Sequence, residues 1–568
     1  MLLTLVFAYL LITIAIGLWA AKRVKNTADF AIAGRNLPMI MIVTTTFATW
    51  FGSETVMGIP AKFVEGGLKS VVEDPFGAGT CLILVGVFFA ARLYRMNLLT
   101  ISDFYRERYG RVVEVVCSLI IILSYLGWVS AQITALGLVF NVLSGSAISI
   151  PMGMVIGTVS ILAYTLFGGM WSVAVTDFLQ VIILVCGLAV LAVFAAGMAG
   201  GADKVIALAT SRDMFSFFPE PTFTDITFFV AAAITMMFGS IPQQDVFQRV
   251  MSANSIKGAT RGPVIGGVAY IAFAFVPMFI VTSALIIMPT ETAALLKDDP
   301  QKVLPTLVLT KMPFVMQVLF FGALLSAIKS TASATLLAPS VTFVENIWRQ
   351  FRPKQGDRSE LLTMRITVLI FSACVCAYAI ASQGTPIYEL VSGAYQVPLV
   401  GAFVPLVAGL YWKRSTTQGA MLAITLGIGV WLLFLGTPLG VAFPAQLAGV
   451  LMAVVGMVVG SLAPQKVGNS QGSHHRIAGL PDDYRSGGRN GGAVEGTAAL
   501  AGSGLATRNA YGHDLAVSAR PRGEGRSRPR NANSNPGSDS GGGAGRGSGN
   551  GSRRRKRPPP VAGGPAKR

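Results

Sequence analysis

Apolar runs near the length of a membrane-spanning helix follow one another along the chain, separated by short polar or basic turns. Thirteen spans fit, approximately Leu2–Ala20, Pro38–Gly58, Pro75–Ala91, Val113–Leu143, Ile148–Phe167, Thr176–Met198, Phe223–Gln243, Pro263–Met288, Pro313–Phe343, Leu362–Ala381, Tyr388–Leu410, Ala420–Leu435 and Pro444–Leu462. Two of them break the pattern. Thr44–Gly58, TTTFATWFGSETVMG, is rich in hydroxyls and glycine and carries Glu54. Leu325–Ser340, LSAIKSTASATLLAPS, is again small and hydroxylated, with Lys329 near its start. In hydrocarbon every backbone N–H and C=O must be satisfied, so polar, glycine-punctured helix survives where it lines a cavity. A carboxylate at that depth costs about 2.5–3.5 kcal/mol on insertion scales unless it is paired or watered. Paired polar or broken helices in the two halves of a membrane protein mark a mid-membrane binding site. The pattern predicts an all-α polytopic membrane protein that transports a solute.

Composition agrees. The chain has 568 residues, 52% of them hydrophobic and 13% charged, beyond what a soluble fold tolerates. The first run has no basic residue ahead of it and is followed by Lys22, Arg23 and Lys25 without a clean cleavage pattern, so it reads as a retained helix. The five cysteines fall in apolar runs with no metal or redox spacing and read as small core residues. All three histidines (His474, His475, His513) lie after the last span, which rules out a histidine proton relay within the membrane. The net charge of +18 is concentrated at the C-terminal end, where 18 basic residues from Lys466 onward face 6 acidic ones. Residues 1–463 therefore read as the transmembrane domain. Residues 464–568 read as a disordered, basic Gly/Arg/Ser/Pro-rich tail that cannot bury enough apolar area to offset chain entropy. Arg553–Arg557 offers charge to anionic lipid or nucleic acid, but a solvated tail is the simpler reading and no nucleic-acid partner is expected. Basic residues concentrate in alternate loops, which predicts an N-terminus outside and a cytoplasmic C-terminus in the plasma (inner) membrane.

The stretch Gly168-Gly169-Met170-Trp171-Ser172-Val173-Ala174-Val175-Thr176-Asp177-Phe178-Leu179-Gln180 resembles the signature of the sodium:solute symporter family. FAIAGRNL over 30–37 looks like the family's first inner loop, and Gln248-Arg249-Val250 with Ser252 looks like the end of its sixth core helix. The resemblance runs in order over roughly residues 1–463. IPQQDVFQRVMSANS and MRITVLIF look most like its choline-transporter branch. It implies a LeuT-type core of five helices and an inverted five-helix repeat, with one extra helix before and two after. It also implies a cation-coupled symporter for a small organic solute, with Na+ as coupling ion and no other cofactor; H+ enters as an alternative through Lys329.

The resemblance further implies a sodium site built from carbonyls at Ala48 and Phe51, faced by Ala327 and the hydroxyls of Ser330 and Thr331. Oxygen ligands and unwound carbonyls suit a hard cation. At about 100° per residue, Thr331 lies off the arc shared by Ser326, Lys329, Ser330 and Ser333, so a distorted turn is expected there. Asp177 matches a carboxylate on the family's inner cation path, and alternatively caps a helix at Thr176 or Asp177. Lys329 is a departure, since that position is usually apolar in the family. Either its ammonium replaces the sodium and couples transport to protons, with Asp177 or Glu54 as partner, or it reaches water or a static ion pair while sodium still binds. Trp50, Thr55, Tyr125, Trp128, Gln132, Gln243 and Gln244 are the candidate solute contacts, with ring faces suited to an organic cation. Close packing of small residues and of aromatic rings explains the same positions without a ligand. A transporter-like sensor signalling through its C-terminal extension is the alternative from another class, and it requires a folded domain after the last span. An enzyme is not expected, since neither a nucleophile–base pair nor a histidine-containing metal set is present in the spans.

Overall fold

The structure, a computed structural model, describes residues 1–352 and 356–466. The tail expected over 464–568 lies outside the described residues apart from 464–466. Regular structure among the described residues is helical, with a single isolated bridge, Leu37–Ala253, beside the first inner loop.

By length and apolarity ten helices among the described residues can cross a bilayer, or eleven if the bent pair Phe223–Gly239 and Gln244–Ser252 is one span. That count departs from the thirteen expected spans at two places. The span expected at Pro38–Gly58 is not a continuous helix: Met39–Trp50 stops, and the chain resumes as Glu54–Gly58 and Ile59–Gly66. The two spans expected on either side of the double glycine are both helical, but they meet end to end at a kink at Gly169 and so are counted once, as Ile150–Met198. At 1.5 Å per residue the whole run amounts to about 74 Å of helix, enough for two crossings of a hydrocarbon core of about 30 Å.

Gly169 explains the sharpness of that interruption. Its φ of 46° and ψ of −142° lie where side-chain-bearing residues are strained, and a Cβ there would approach the Phe30 carbonyl oxygen to 2.4 Å. Replacing it with alanine forces the Thr27–Ile32 helix away from its neighbour. Gly169→Ala is expected to remove most of the detergent-extractable, monodisperse protein, as read by fluorescence size-exclusion chromatography.

The N-terminal helix Leu2–Ala21 packs on Ile150–Met198 and on the hydroxyl-rich helix Phe314–Thr342. Phe314–Thr342 also packs on Arg111–Leu143 and on Met39–Trp50. The divided span is thus enclosed by helices on all sides, and nearly every residue from Phe320 to Thr342 is buried. Large apolar side chains such as Leu11, Leu123, Val193, Val268 and Leu369 project outward instead, as lipid-facing residues do. Cys81 and Cys117 are buried, but Cys186 and Cys374 are on the outside and Cys376 is half-buried, so the cysteines are not uniformly core.

Candidate functional site

The helix Met39–Trp50 ends because Phe51 leaves the helical region at φ −85° and ψ 71°. Gly52 follows with no room for a side chain. A Cβ there would lie 2.6 Å from Glu54 Oε2 and 2.9 Å from both Gln132 Oε1 and Thr331 Oγ1. The break frees backbone carbonyls that a continuous helix would consume. The Thr331 hydroxyl donates to the Ala48 carbonyl at 3.2 Å, and the Thr55 hydroxyl donates to the Trp50 carbonyl at 3.0 Å. Phe51, at the end of the helix, and Ala327, on the facing helix, are both buried.

Asp177 stands beside this break. It is not a helix cap, because it lies inside Ile150–Met198 and is fully buried. Its Oδ2 accepts from the Thr45 hydroxyl at 2.5 Å and its Oδ1 accepts from the Ser330 hydroxyl at 2.5 Å. Thr45, which the sequence reading left out of the site, thereby ties the divided span to the carboxylate. Ser330 and Thr331 serve different neighbours from successive positions of a regular α-helix. The distorted turn expected there is absent: about 100° apart on a regular helix, Ser330 reaches Asp177 and Thr331 reaches the Ala48 carbonyl.

Lys329 does not join this group. Its Nζ donates to Thr13 Oγ1 of the N-terminal helix at 2.5 Å and lies 5.3 Å from the centre of the Tyr164 ring. No ion pair joins Lys329 to Asp177 or Glu54, the two partners expected for it, and neither carboxylate has a Lys or Arg partner among the described residues. The reason lies in the packing. Ser326 and Lys329 face the added N-terminal helix, where Tyr9 and Ser326 hydroxyls meet at 2.5 Å, while Ser330 turns toward Ile150–Met198.

Glu54 is held by neutral donors. Gln132 Nε2 donates to it at 2.6 Å, Trp128 Nε1 at 3.3 Å and the Ser53 hydroxyl at 3.4 Å, and Gln132 Oε1 accepts from the Ser53 amide at 2.9 Å. Trp50 and Trp128 stack at 5.5 Å, Tyr395 stacks on Trp50 at 5.6 Å, and Tyr125 stacks on Trp128 at 6.0 Å. The rings cover one another's faces, so in this conformation they form a closed cluster and not an open cage. Tyr395 was not singled out from sequence, since one tyrosine in an apolar run carries no pattern.

The bent pair supplies the other wall. Its two helices are inclined by 45° and separated by Ser240-Ile241-Pro242-Gln243. The Tyr125 hydroxyl donates to Asp245 Oδ1 at 2.5 Å, and Gln243 Nε2 donates to the Ser124 hydroxyl at 2.8 Å. Gln244 turns away: its Oε1 accepts from the Ile101 amide at 2.8 Å, at the start of the helix Ile101–Tyr109. It serves a helix end, not the solute chamber. Asp245 and Arg249 were not singled out as candidate site residues, although an acid and a base one turn apart between two apolar spans are themselves a signal, and both are buried. Asp245 Oδ2, Gln243 Oε1 and Arg249 Nε and Nη2 are buried with no partner among the described residues, which leaves polar capacity for water or ligand.

The sequence profile described as the sodium:solute symporter family matches residues 30–427. High-affinity choline transporter 1 of Caenorhabditis elegans is 27% identical over 465 residues, covering 78% of each chain. The high-affinity proline transporter PutP of Bacillus subtilis (strain 168) is 27% identical over 423 residues, covering 72% of this chain and 87% of that one. Among solved structures, a Na+-coupled sialic acid symporter in its substrate-bound outward-open state superposes with a TM-score of 0.70 at 20% identity, covering 81% of this chain and 97% of the other. A nucleobase-cation-symport-1 family transporter gives a TM-score of 0.51 at 15% identity. These structural likenesses carry the fold, which is the LeuT-type arrangement expected from the sequence. With a broken span facing a hydroxyl-rich helix, and a profile match spanning most of its length, this chain belongs to the sodium:solute symporter family.

Proposed function

We propose that this symporter imports a small organic solute by alternating access, driven by a sodium ion held between the broken span and the hydroxyl-rich helix. The observation that carries this reading is the meeting of Asp177 with Thr45 and Ser330 beside Thr331 and the Ala48 carbonyl, with no Lys or Arg paired to the carboxylate among the described residues. A carboxylate, hydroxyls and a freed carbonyl make a hard, anionic oxygen set. Arg249 acts on Asp177 through space without forming an ion pair with it, and the buried carboxylate gains further from a cation held directly against its oxygens. The solute is assigned to the chamber between the break at Phe51–Ser53 and the Gln243–Asp245 turn, with Trp50, Trp128, Tyr125, Thr55 and Gln132 lining it. The names of the relatives make choline and proline the first solutes to try. The N-terminus is placed outside and the C-terminus in the cytoplasm of the plasma membrane, from the basic loops. The test is uptake of labelled choline and proline into proteoliposomes under an inward sodium gradient. Accumulation above equilibrium that collapses when potassium replaces sodium supports the proposal. Sodium-independent, proton-driven accumulation overturns the assignment of the ion.

The position of Lys329 supports sodium over protons, because its ammonium points to Thr13 on the N-terminal helix and leaves the Asp177 oxygens to the Thr45 and Ser330 hydroxyls, with no ammonium bound to them. Lys329→Met is therefore expected to keep sodium-driven uptake within about threefold of wild type, with the same indifference to external pH. The check is a sodium titration of uptake at two pH values for both proteins. Loss of sodium dependence in the variant would place the ammonium in the coupling site after all.

A further inference from the structure

On the outer side of the broken span the chain buries a second acidic group that the sodium site does not use. Glu73 and Asp74, near the start of the span Leu68–Met96, are 5% and 1% exposed. Asp74 Oδ1 accepts from the Tyr270 hydroxyl at 2.5 Å and Glu73 Oε2 accepts from the Ser392 hydroxyl at 2.8 Å. The second oxygen of each, Asp74 Oδ2 and Glu73 Oε1, is buried with no hydrogen-bond partner among the described residues. No Lys or Arg forms an ion pair with either carboxylate or with Glu54 among the described residues. Polar contacts lead from this group to the helix break, since the Tyr270 and Thr55 hydroxyls lie 2.9 Å apart and the Thr55 hydroxyl lies 3.0 Å from the Trp50 carbonyl oxygen. Tyr388, from the span Ile387–Tyr411, packs its backbone and Cβ against Gly58, and its phenol lies within electrostatic reach of Glu73 and Asp74.

Three buried carboxylates along one route, with two vacant acceptor oxygens, call for a positively charged guest. A quaternary ammonium has no N–H to offer those oxygens. A compact metal ion prefers six or more oxygen ligands, whereas this wall presents two vacant carboxylate oxygens among phenol rings. We propose that Glu73 and Asp74 form a recognition site for an organic cation bearing a protonated primary or secondary amine, on the outer approach to the solute chamber. The amine N–H groups donate to Asp74 Oδ2 and Glu73 Oε1, and the phenol rings cover its carbon chain. The inference rests on the symporter reading above, whose solute it assigns to the amine-bearing cations.

The experiment is a melting-point titration of the purified full chain with putrescine, butylamine, tetramethylammonium and butanol, with and without sodium, for wild type, Glu73→Gln and Asp74→Asn. Binding to the folded protein raises the midpoint by mass action. The expected result is stabilisation of wild type by the two amines and not by tetramethylammonium or butanol. Each variant should weaken putrescine about tenfold or more, as loss of a charge-assisted hydrogen bond does. Equal responses to tetramethylammonium and butylamine, or variants that answer putrescine as wild type does, overturn the proposal. If a variant does not fold, the wild-type comparison of butylamine with its N-trimethylated form decides alone. A sodium response without an amine response sinks this site and leaves the symporter reading standing. An amine response without a sodium response supports the site and removes sodium as the driving ion.

Discussion

Replacing Asp177 with asparagine is expected to abolish the stabilisation of the purified protein by sodium while leaving its melting point in sodium-free buffer equal to wild type or higher. The two halves of that result have one cause. Asp177 is fully buried and accepts from Thr45 and Ser330, yet no cationic side chain pairs with it among the described residues. Without sodium the carboxylate is a liability, because Arg249 attracts it only through space and a buried charge without a directly paired counter-charge is destabilising. Asparagine keeps the shape and removes that cost. With sodium the carboxylate supplies the one formal charge in the oxygen set, and its loss removes about 2–3 kcal/mol of charge-assisted interaction. That corresponds to a fall in apparent sodium affinity of roughly 30- to 150-fold. Thermal-shift curves over a sodium series at constant ionic strength, with potassium as the replacing ion, read both halves at once. A variant that is less stable without sodium yet responds to it normally would make Asp177 a structural residue.

The second large effect is expected at Gly52. A methyl group there meets Glu54 Oε2, Gln132 Oε1 and Thr331 Oγ1, all within 3 Å. Each of these atoms lies on a side chain that can turn, so the backbone need not unfold. Turning them, however, unpicks the Gln132–Glu54 hydrogen bond at 2.6 Å, the Ser53–Gln132 bond at 2.9 Å or the Thr331–Ala48 bond at 3.2 Å. Gly52→Ala is expected to fold, at a stability cost of about 1–3 kcal/mol for overpacking, and to lose at least nine-tenths of sodium-driven uptake. Quantified membrane expression beside uptake separates the two effects. Near-normal uptake would mean that the contacts across the break carry no functional weight.

Much of this site was legible in the chain because polarity in a membrane span is conspicuous. Thr44–Gly58 and Leu325–Ser340 stood out against their apolar surroundings, and the structure brings them together through Thr331 and Ala48. What stayed hidden was direction. Lys329 and Ser330 are adjacent, and the helical repeat alone places both on the polar arc. Only the packing of the N-terminal helix on that arc shows that one serves Thr13 and the other Asp177. The adjacent glutamines show the same limit, since Gln243 reaches Ser124 while the Gln244 carbonyl oxygen reaches back to Ile101. The place where the polar span divides was obscured by a different cause. A helix stopped by one non-helical residue leaves little trace in hydropathy, which averages over a window wider than the break, whereas the double glycine at Gly168-Gly169 marked its kink openly.

Direct binding of radioactive sodium to the purified full chain, read by scintillation proximity, addresses the heart of this account. Saturable binding displaced by unlabelled sodium but not by potassium, and lost in a protein carrying both Asp177→Asn and Thr331→Ala, is the predicted result. Absence of saturable binding in wild type, or binding unchanged by the two substitutions, would contradict the proposal that the interrupted span and the hydroxyl-rich helix together hold the ion.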